Sequence, residues 1–340
     1  MYYLTVLATA LIVSFIHWFL SKNYKRIRNF IKKRLRRWKP PFEKVQIKSS
    51  LDNKLQNAYF YKTTNAEKTP LVVSLHSWAG DYTQYDVGVA DLVIKKDFNY
   101  IYPNFRGRND NPDACASDLA ISDINDAIQF AIDNGNVDQD NIFVIGGSGG
   151  AHATLSFYPK TKHRIKAYIA WNPITDLIEW FHQSKNRNSR YSDDILKVTH
   201  SDSESEFNEH LIKERSPIHQ RTPRTNSDIH LFAGYHDGYK GSSENPVPIT
   251  HTLNYFNKLV LSFGGNQKDL IPQELITQLA TKSLPLTEKT INDNREIVYQ
   301  RKFKNIKLTI FNGNHEQIES ETFEIIESKL NKNSQEEKVV

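Results

Sequence analysis

The chain has 340 residues, of which 39% are hydrophobic and 11% aromatic; this suffices for one large α/β domain or two ordinary ones and excludes a disordered polypeptide. A single cysteine, Cys115, excludes an intrachain disulfide, and no Cys/His cluster has zinc spacing, so no metal or other cofactor is expected. The net charge of +5 is uneven: residues 1–39 hold ten Lys or Arg and no Asp or Glu, leaving 34 basic against 39 acidic residues beyond them, so nucleic-acid binding by the globular part is not implied.

Residues 2–20 are almost continuously apolar, with His17 and a few hydroxyls as the polar exceptions. As a helix they would reach roughly 28 Å, close to the hydrocarbon thickness of a bilayer, and we expect a transmembrane anchor over residues 1–21. The rivals are a cleaved signal peptide, which lacks a charged n-region here, and a buried amphipathic helix, which would need a polar face. Residues 22–41 follow as a basic juxtamembrane helix and linker. Its apolar positions Tyr24, Ile27, Ile31, Leu35 and Trp38 recur at three and four, so the helix can lie on an anionic leaflet, the alternative being a solvated charge run. Basic residues after a first membrane helix stay on the cytoplasmic side, so the remainder of the chain is expected there. Pro40-Pro41 ends this helix.

From Phe42 the pattern is that of one domain over residues 42–330, with a flexible tail over 331–340. Residues 43–49 and 57–63 flank Asp52-Asn53 as a hairpin. A buried strand at 69–76 runs into Ser77-Trp78-Ala79-Gly80; a helix (85–95), a strand (99–102), a turn (103–107) and a helix (118–132) follow. The strand over 142–145 precedes Gly146-Gly147-Ser148-Gly149-Gly150, and another strand is read over 163–171. An insertion of about 174–225, a candidate lid, interrupts the alternation. It resumes with a strand at 228–233 and a helix at 250–263, is broken by a second insertion of about 264–294, and ends with a strand at 306–311 and a helix at 317–330. Strands alternating with helices predict an α/β fold with a mainly parallel, doubly wound sheet covered on both faces.

The Gly146 to Gly150 run has the G-x-S-x-G form of a nucleophile elbow, in which flanking side chains would collide with neighbouring backbone; a glycine-rich surface loop is the alternative. A serine nucleophile needs a base and an acid to orient it, and in this architecture both fall in loops after later strands, in the order Ser, acid, His. Asp237 follows the strand ending at Ala233, and His315 the strand ending at Phe311. Asp176 is the second candidate acid. His152 lies one helical turn beyond Ser148 and is expected to pack beside the site, while His76 and His236 also lie near strand ends. The amide of Gly149 is one expected oxyanion donor, and the turn Ser77-Trp78-Ala79 should supply the other.

The segments Leu71 to Gly80, Asn104-Phe105-Arg106-Gly107-Arg108, Cys115 to Leu119 with Asp123 and Asp126, Gly146 to His152, and Gly234-Tyr235-His236-Asp237-Gly238 together resemble the catalytic domain of the prolyl oligopeptidase family and its acetylxylan-esterase-like relatives. The resemblance implies an α/β-hydrolase fold and a serine hydrolase with Ser148, Asp237 and His315 as its triad. Many members carry a tyrosine where Trp78 stands, so an indole N–H or a backbone amide would replace its hydroxyl as oxyanion donor. The large propeller of the oligopeptidases is not seen before the hairpin, nor are paired glutamates for a substrate's amino terminus. The expected substrate is a short peptide or a small acyl ester, the ester slightly favoured. The alternative is a non-catalytic, membrane-tethered binding protein on a hydrolase scaffold.

Overall fold

The structure is a computed structural model that describes residues 37–238 and 246–336. The expected membrane helix, and the basic segment up to residue 36, lie outside the described residues. Among the described residues no helix is long and apolar enough to cross a membrane. Every described strand and helix belongs to the compact unit that begins at Pro40.

A hairpin of β1 (Glu43–Lys48) and β2 (Leu55–Tyr61) opens the domain. It leads to β3 (Thr69–Leu75), β4 (Asn99–Pro103), β5 (Val137–Gly147), β6 (Ala167–Trp171) and β7 (Asp228–Gly234). Near the end of the domain come β8 (Thr290–Ile291), β9 (Arg295–Phe303) and β10 (Ile306–Phe311). The ten strands form one sheet in the order β1-β2-β4-β3-β5-β6-β7-β10-β9-β8, parallel from β4 to β10 and antiparallel at both margins. Every residue of β3, β4 and β6 is buried, as expected of parallel strands covered on both faces.

The helices are α1 (Val87–Lys96), α2 (Asp118–Asn134), α3 (Gly149–Phe157), α4 (Leu177–Lys185), α5 (Tyr191–Val198), α6 (Glu209–Glu214), α7 (Thr250–Ser262), α8 (Gln273–Ala280) and α9 (Glu319–Glu336). Apolar residues of α2, α3 and α7 share one core with the sheet. On the opposite face Trp171 stacks on Phe232 and donates its indole N–H to Thr322 of α9. The chain runs from β3 to β4 in one direction and on to β5 in the other, so the crevice beyond the carboxyl ends of β3 and β5 is the topological switch point where such sheets bind ligands.

Several elements depart from the sequence reading. The strand expected over 163–171 begins only at Ala167, and the final helix runs to Glu336 instead of ending at Leu330. The second insertion contains α8. The apolar pattern does not mark β9: in R-E-I-V-Y-Q-R-K-F only Ile297 and Val298 are buried, because beyond the two-residue β8 this strand is almost an edge, and edge strands carry charge in place of an apolar run.

Two features tie the periphery to the sheet. Arg106, in a turn where Phe105 and Arg106 both have positive φ, makes hydrogen-bonded ion pairs with Asp123 of α2 at 2.6 Å and with Asp52 of the hairpin at 2.7 Å, and also donates to Ser49. This pairing holds the Asp52 carboxyl well below the usual carboxylate range. The first insertion builds a core of its own, in which Trp180, Phe181, Ile195, Val198 and Ile212 pack around Trp78.

Candidate active site

Ser148 joins β5 to α3 with φ 58° and ψ −120°, a conformation that costs an L-residue free energy and persists only where the surroundings enforce it. They do so by close approach. A Cβ on Gly146 would lie 2.3 Å from the Gly150 carbonyl carbon, and one on Gly149 would lie 2.2 Å from the Trp78 backbone nitrogen. Ser148 occupies the N-cap of α3, yet its hydroxyl makes no capping hydrogen bond. The Gly149 amide at the first position of α3 points out of the helix, where the helix dipole favours negative charge.

The acid and base candidates meet. His315 Nδ1 donates to Asp237 Oδ2 at 2.6 Å, and the Asp237 carboxylate, 2% exposed as a residue, also accepts from the Gly238 and Val247 amides. Asn172, at the end of β6, accepts from the Gly234 amide and donates to the Glu316 carbonyl, which fixes the two loops relative to each other. Ser148, His315, Trp78 and Asn172 line one cavity of about 370 Å³.

The competing residues lie elsewhere. Asp176 caps α4, accepting from the Ile178 and Glu179 amides, and does not face His315. His152 is fully buried, donating from Nδ1 to the Ile174 carbonyl, and burial lowers its pKa to about 4. His76 is buried against Phe105 and bonded to the Asn104 carbonyl, whereas His236 is exposed and bonded to Asn312. Of the two oxyanion donors left open at Trp78, the indole N–H is committed: it donates to Asp194 at 3.2 Å inside the first insertion. The Trp78 carbonyl accepts from Asn109, so the backbone N–H is the group of this residue without a partner among the described residues.

Two carboxylates on the cavity wall carry no sequence signal. Asp86 accepts from Ser74 at 2.7 Å, and burial pushes its pKa up to about 6. Burial also raises that of Glu319. Each precedes or opens a helix, where an acidic residue usually reads as a dipole-compensating surface group. Asp194 is inconspicuous for a similar reason: the 3–4 spacing of Tyr191, Ile195 and Val198 marks an amphipathic helix, and only counting along it places Asp194 on the buried side.

Residues 84–271, just over half the chain, match the prolyl oligopeptidase family, a span that contains Ser148 and Asp237 and ends before His315. No curated protein matches the chain. Among solved structures, an acylaminoacyl peptidase from Pyrococcus horikoshii is similar with a TM-score of 0.52 at 18% identity, over 70% of this chain and 37% of that one. A puromycin-hydrolyzing peptidase from Mycobacterium tuberculosis is similar with a TM-score of 0.51 at 19% identity, over 65% and 34%. The likeness thus spans about a third of each of those proteins and concerns the α/β-hydrolase fold. By its matched residues and its fold, the chain belongs to the prolyl oligopeptidase family.

Proposed function

We propose that the protein is a serine hydrolase that cleaves an amide or ester bond of a short peptide or small acyl substrate through an acyl-enzyme. The observation that carries this reading is the convergence of a strained Ser148 and an Asp237-bound His315 on one cavity at the switch point of the sheet. Asp237 holds the imidazole with Nδ1 protonated, so that Nε2 acts as the base. His315 takes the Ser148 proton as Oγ attacks the carbonyl carbon, then delivers it to the leaving group. The amides of Gly149 and Trp78 stabilise the oxyanion, and water, activated by the same imidazole, releases the acid. The family and the printed activities of both structural neighbours favour an amide or peptide over the ester. Residues 1–21 would tether the domain to a membrane, with the basic segment on the cytoplasmic side.

A fluorophosphonate probe should label the protein, and Ser148→Ala should abolish labelling. Ser148-independent labelling, or none in folded protein, sinks the reading. Hydrolysis of alanyl and prolyl p-nitroanilides compared with p-nitrophenyl acetate then ranks amide against ester. Protease accessibility in right-side-out vesicles tests the orientation, and digestion of the domain from outside refutes it.

A further inference from the structure

We infer that Asp194, on helix α5 of the first insertion, is a positioning residue that sets the oxyanion turn by holding the Trp78 indole; the inference rests on the proposed role of Ser148. Asp194 is 5% exposed and makes no ion pair among the described residues, and the hydrogen bond of its carboxylate there goes to Trp78 Nε1 at 3.2 Å. Burying a carboxylate with one neutral donor is costly, and burial raises its pKa accordingly. The first-turn position in α5 offsets part of the cost through the helix dipole. An apolar side chain would fill the same place in the insertion core at no such cost, so an acceptor directed at the indole is the feature that needs a reason.

The surroundings of Trp78 supply it. Its ring packs edge-on to Trp180 at 4.6 Å and against His152 at 5.9 Å, and its carbonyl accepts from the Asn109 amide at 2.9 Å. On the preceding residue, the Ser77 amide and hydroxyl are both bound to Gln84. Side chain, carbonyl and flanking residue are therefore all tied, and the N–H of Trp78 is left beside Gly149, whose missing Cβ would otherwise strike this nitrogen. Without Asp194 the packed ring is released to shift as a body, and such a shift passes through Cβ to the Trp78 Cα and tilts that amide. Oxyanion donors act only within a few tenths of an ångström of their place, so a group that fixes the side chain governs turnover more than substrate affinity.

The test compares the wild type with Asp194→Asn, Asp194→Leu, Trp78→Phe and the double variant Trp78→Phe/Asp194→Leu, by steady-state hydrolysis and thermal unfolding. Asp194→Asn keeps an acceptor oxygen and should retain most of the turnover. Asp194→Leu and Trp78→Phe should each lower kcat ~10- to 100-fold with KM changed less than ~3-fold. The double variant buries neither an orphan donor nor an orphan acceptor, so it should recover Tm without recovering kcat. Recovery of kcat in step with Tm, or a kcat within ~3-fold of wild type in both Trp78→Phe and the double variant, overturns the inference. If Asp194→Leu does not fold, Trp78→Phe against Asp194→Asn decides, since the first removes the donor and the second keeps the bond. Turnover that survives Ser148→Ala would instead sink the serine reading, an outcome separate from turnover that needs Ser148 and ignores Asp194.

Discussion

The sheet and the first insertion divide the site between them. Ser148, Asp237 and His315 all follow the carboxyl ends of parallel strands, and their mutual geometry is set by β5, β7 and β10 and by the Asn172 lashing. The insertion contributes α4, α5 and α6 around a separate core and reaches the site through Trp78, through the Pro246 carbonyl that accepts from Trp180 and Arg187, and through the Gly238 carbonyl that accepts from Arg187. In the proposed mechanism, proton transfer therefore falls to residues placed by the sheet, whereas the Trp78 donor is placed by packing and hydrogen bonding with the insertion.

The largest effect should come from breaking the sheet's share. Asp237→Asn is expected to lower kcat by ~10³–10⁴ with little change in Tm, because the amide favours the wrong imidazole tautomer. A loss below tenfold in steady-state assays would remove Asp237 from the chemistry and with it the division of labour. Trp180→Ala attacks the other layer. It empties a site that is 1% exposed between Trp78 and Tyr191 and should cost ~3–5 kcal/mol in urea unfolding, with hydrogen exchange in α4 and α5 rising ahead of exchange in β3 and β5. Uniform loss of protection across both would show that the insertion is not a separate unit.

The smallest effects are in pH dependence, and they have opposite signs on the two sides of the elbow. His152, packed against the insertion, is held near 4 while the unfolded residue titrates near 6.5, so its contribution is lost as pH falls below about 6.5, by ~2 kcal/mol at pH 5. Asp86, on the cavity wall, is raised to about 6 from 3.8, so the native state binds its proton first and this group favours folding as pH falls from above 6 towards 4. Thermal melts between pH 7.5 and 5 should therefore show a shallower acid loss in His152→Asn, whose amide can replace the Nδ1 donor, and a steeper one in Asp86→Asn. A His152→Asn slope as steep as that of the wild type would contradict the first assignment, and an Asp86→Asn slope no steeper than that of the wild type the second.

The parallel strands and the residues at their ends are readable because each combines an apolar run with a turn and one reactive residue type, as in Ile142 to Ser148 or Leu308 to His315. β9 is unreadable because a near-edge strand need not be apolar. The direction of the Trp78 indole is unreadable for a different reason. Its partner lies 116 residues away in an acidic S-D-D-I-L stretch, and the helical spacing that turns Asp194 inward does not say which distant side chain it meets. Asp86 is similar: burial and the nearby Glu319 raise its pKa against the lowering effect of the Ser74 hydrogen bond, and these groups meet only in the folded protein.

The separate core of the insertion has a consequence for engineering. A segment with its own interior can be exchanged between scaffolds, but the seam here is polar and at least partly buried. Any replacement must offer an acceptor to the Trp78 indole and donors to the Pro246 and Gly238 carbonyls, since each buried polar group left without a partner costs ~1–3 kcal/mol. A graft chosen for cavity shape alone would therefore arrive destabilised, and a compatible donor can be recognised by those hydrogen bonds before its specificity is considered.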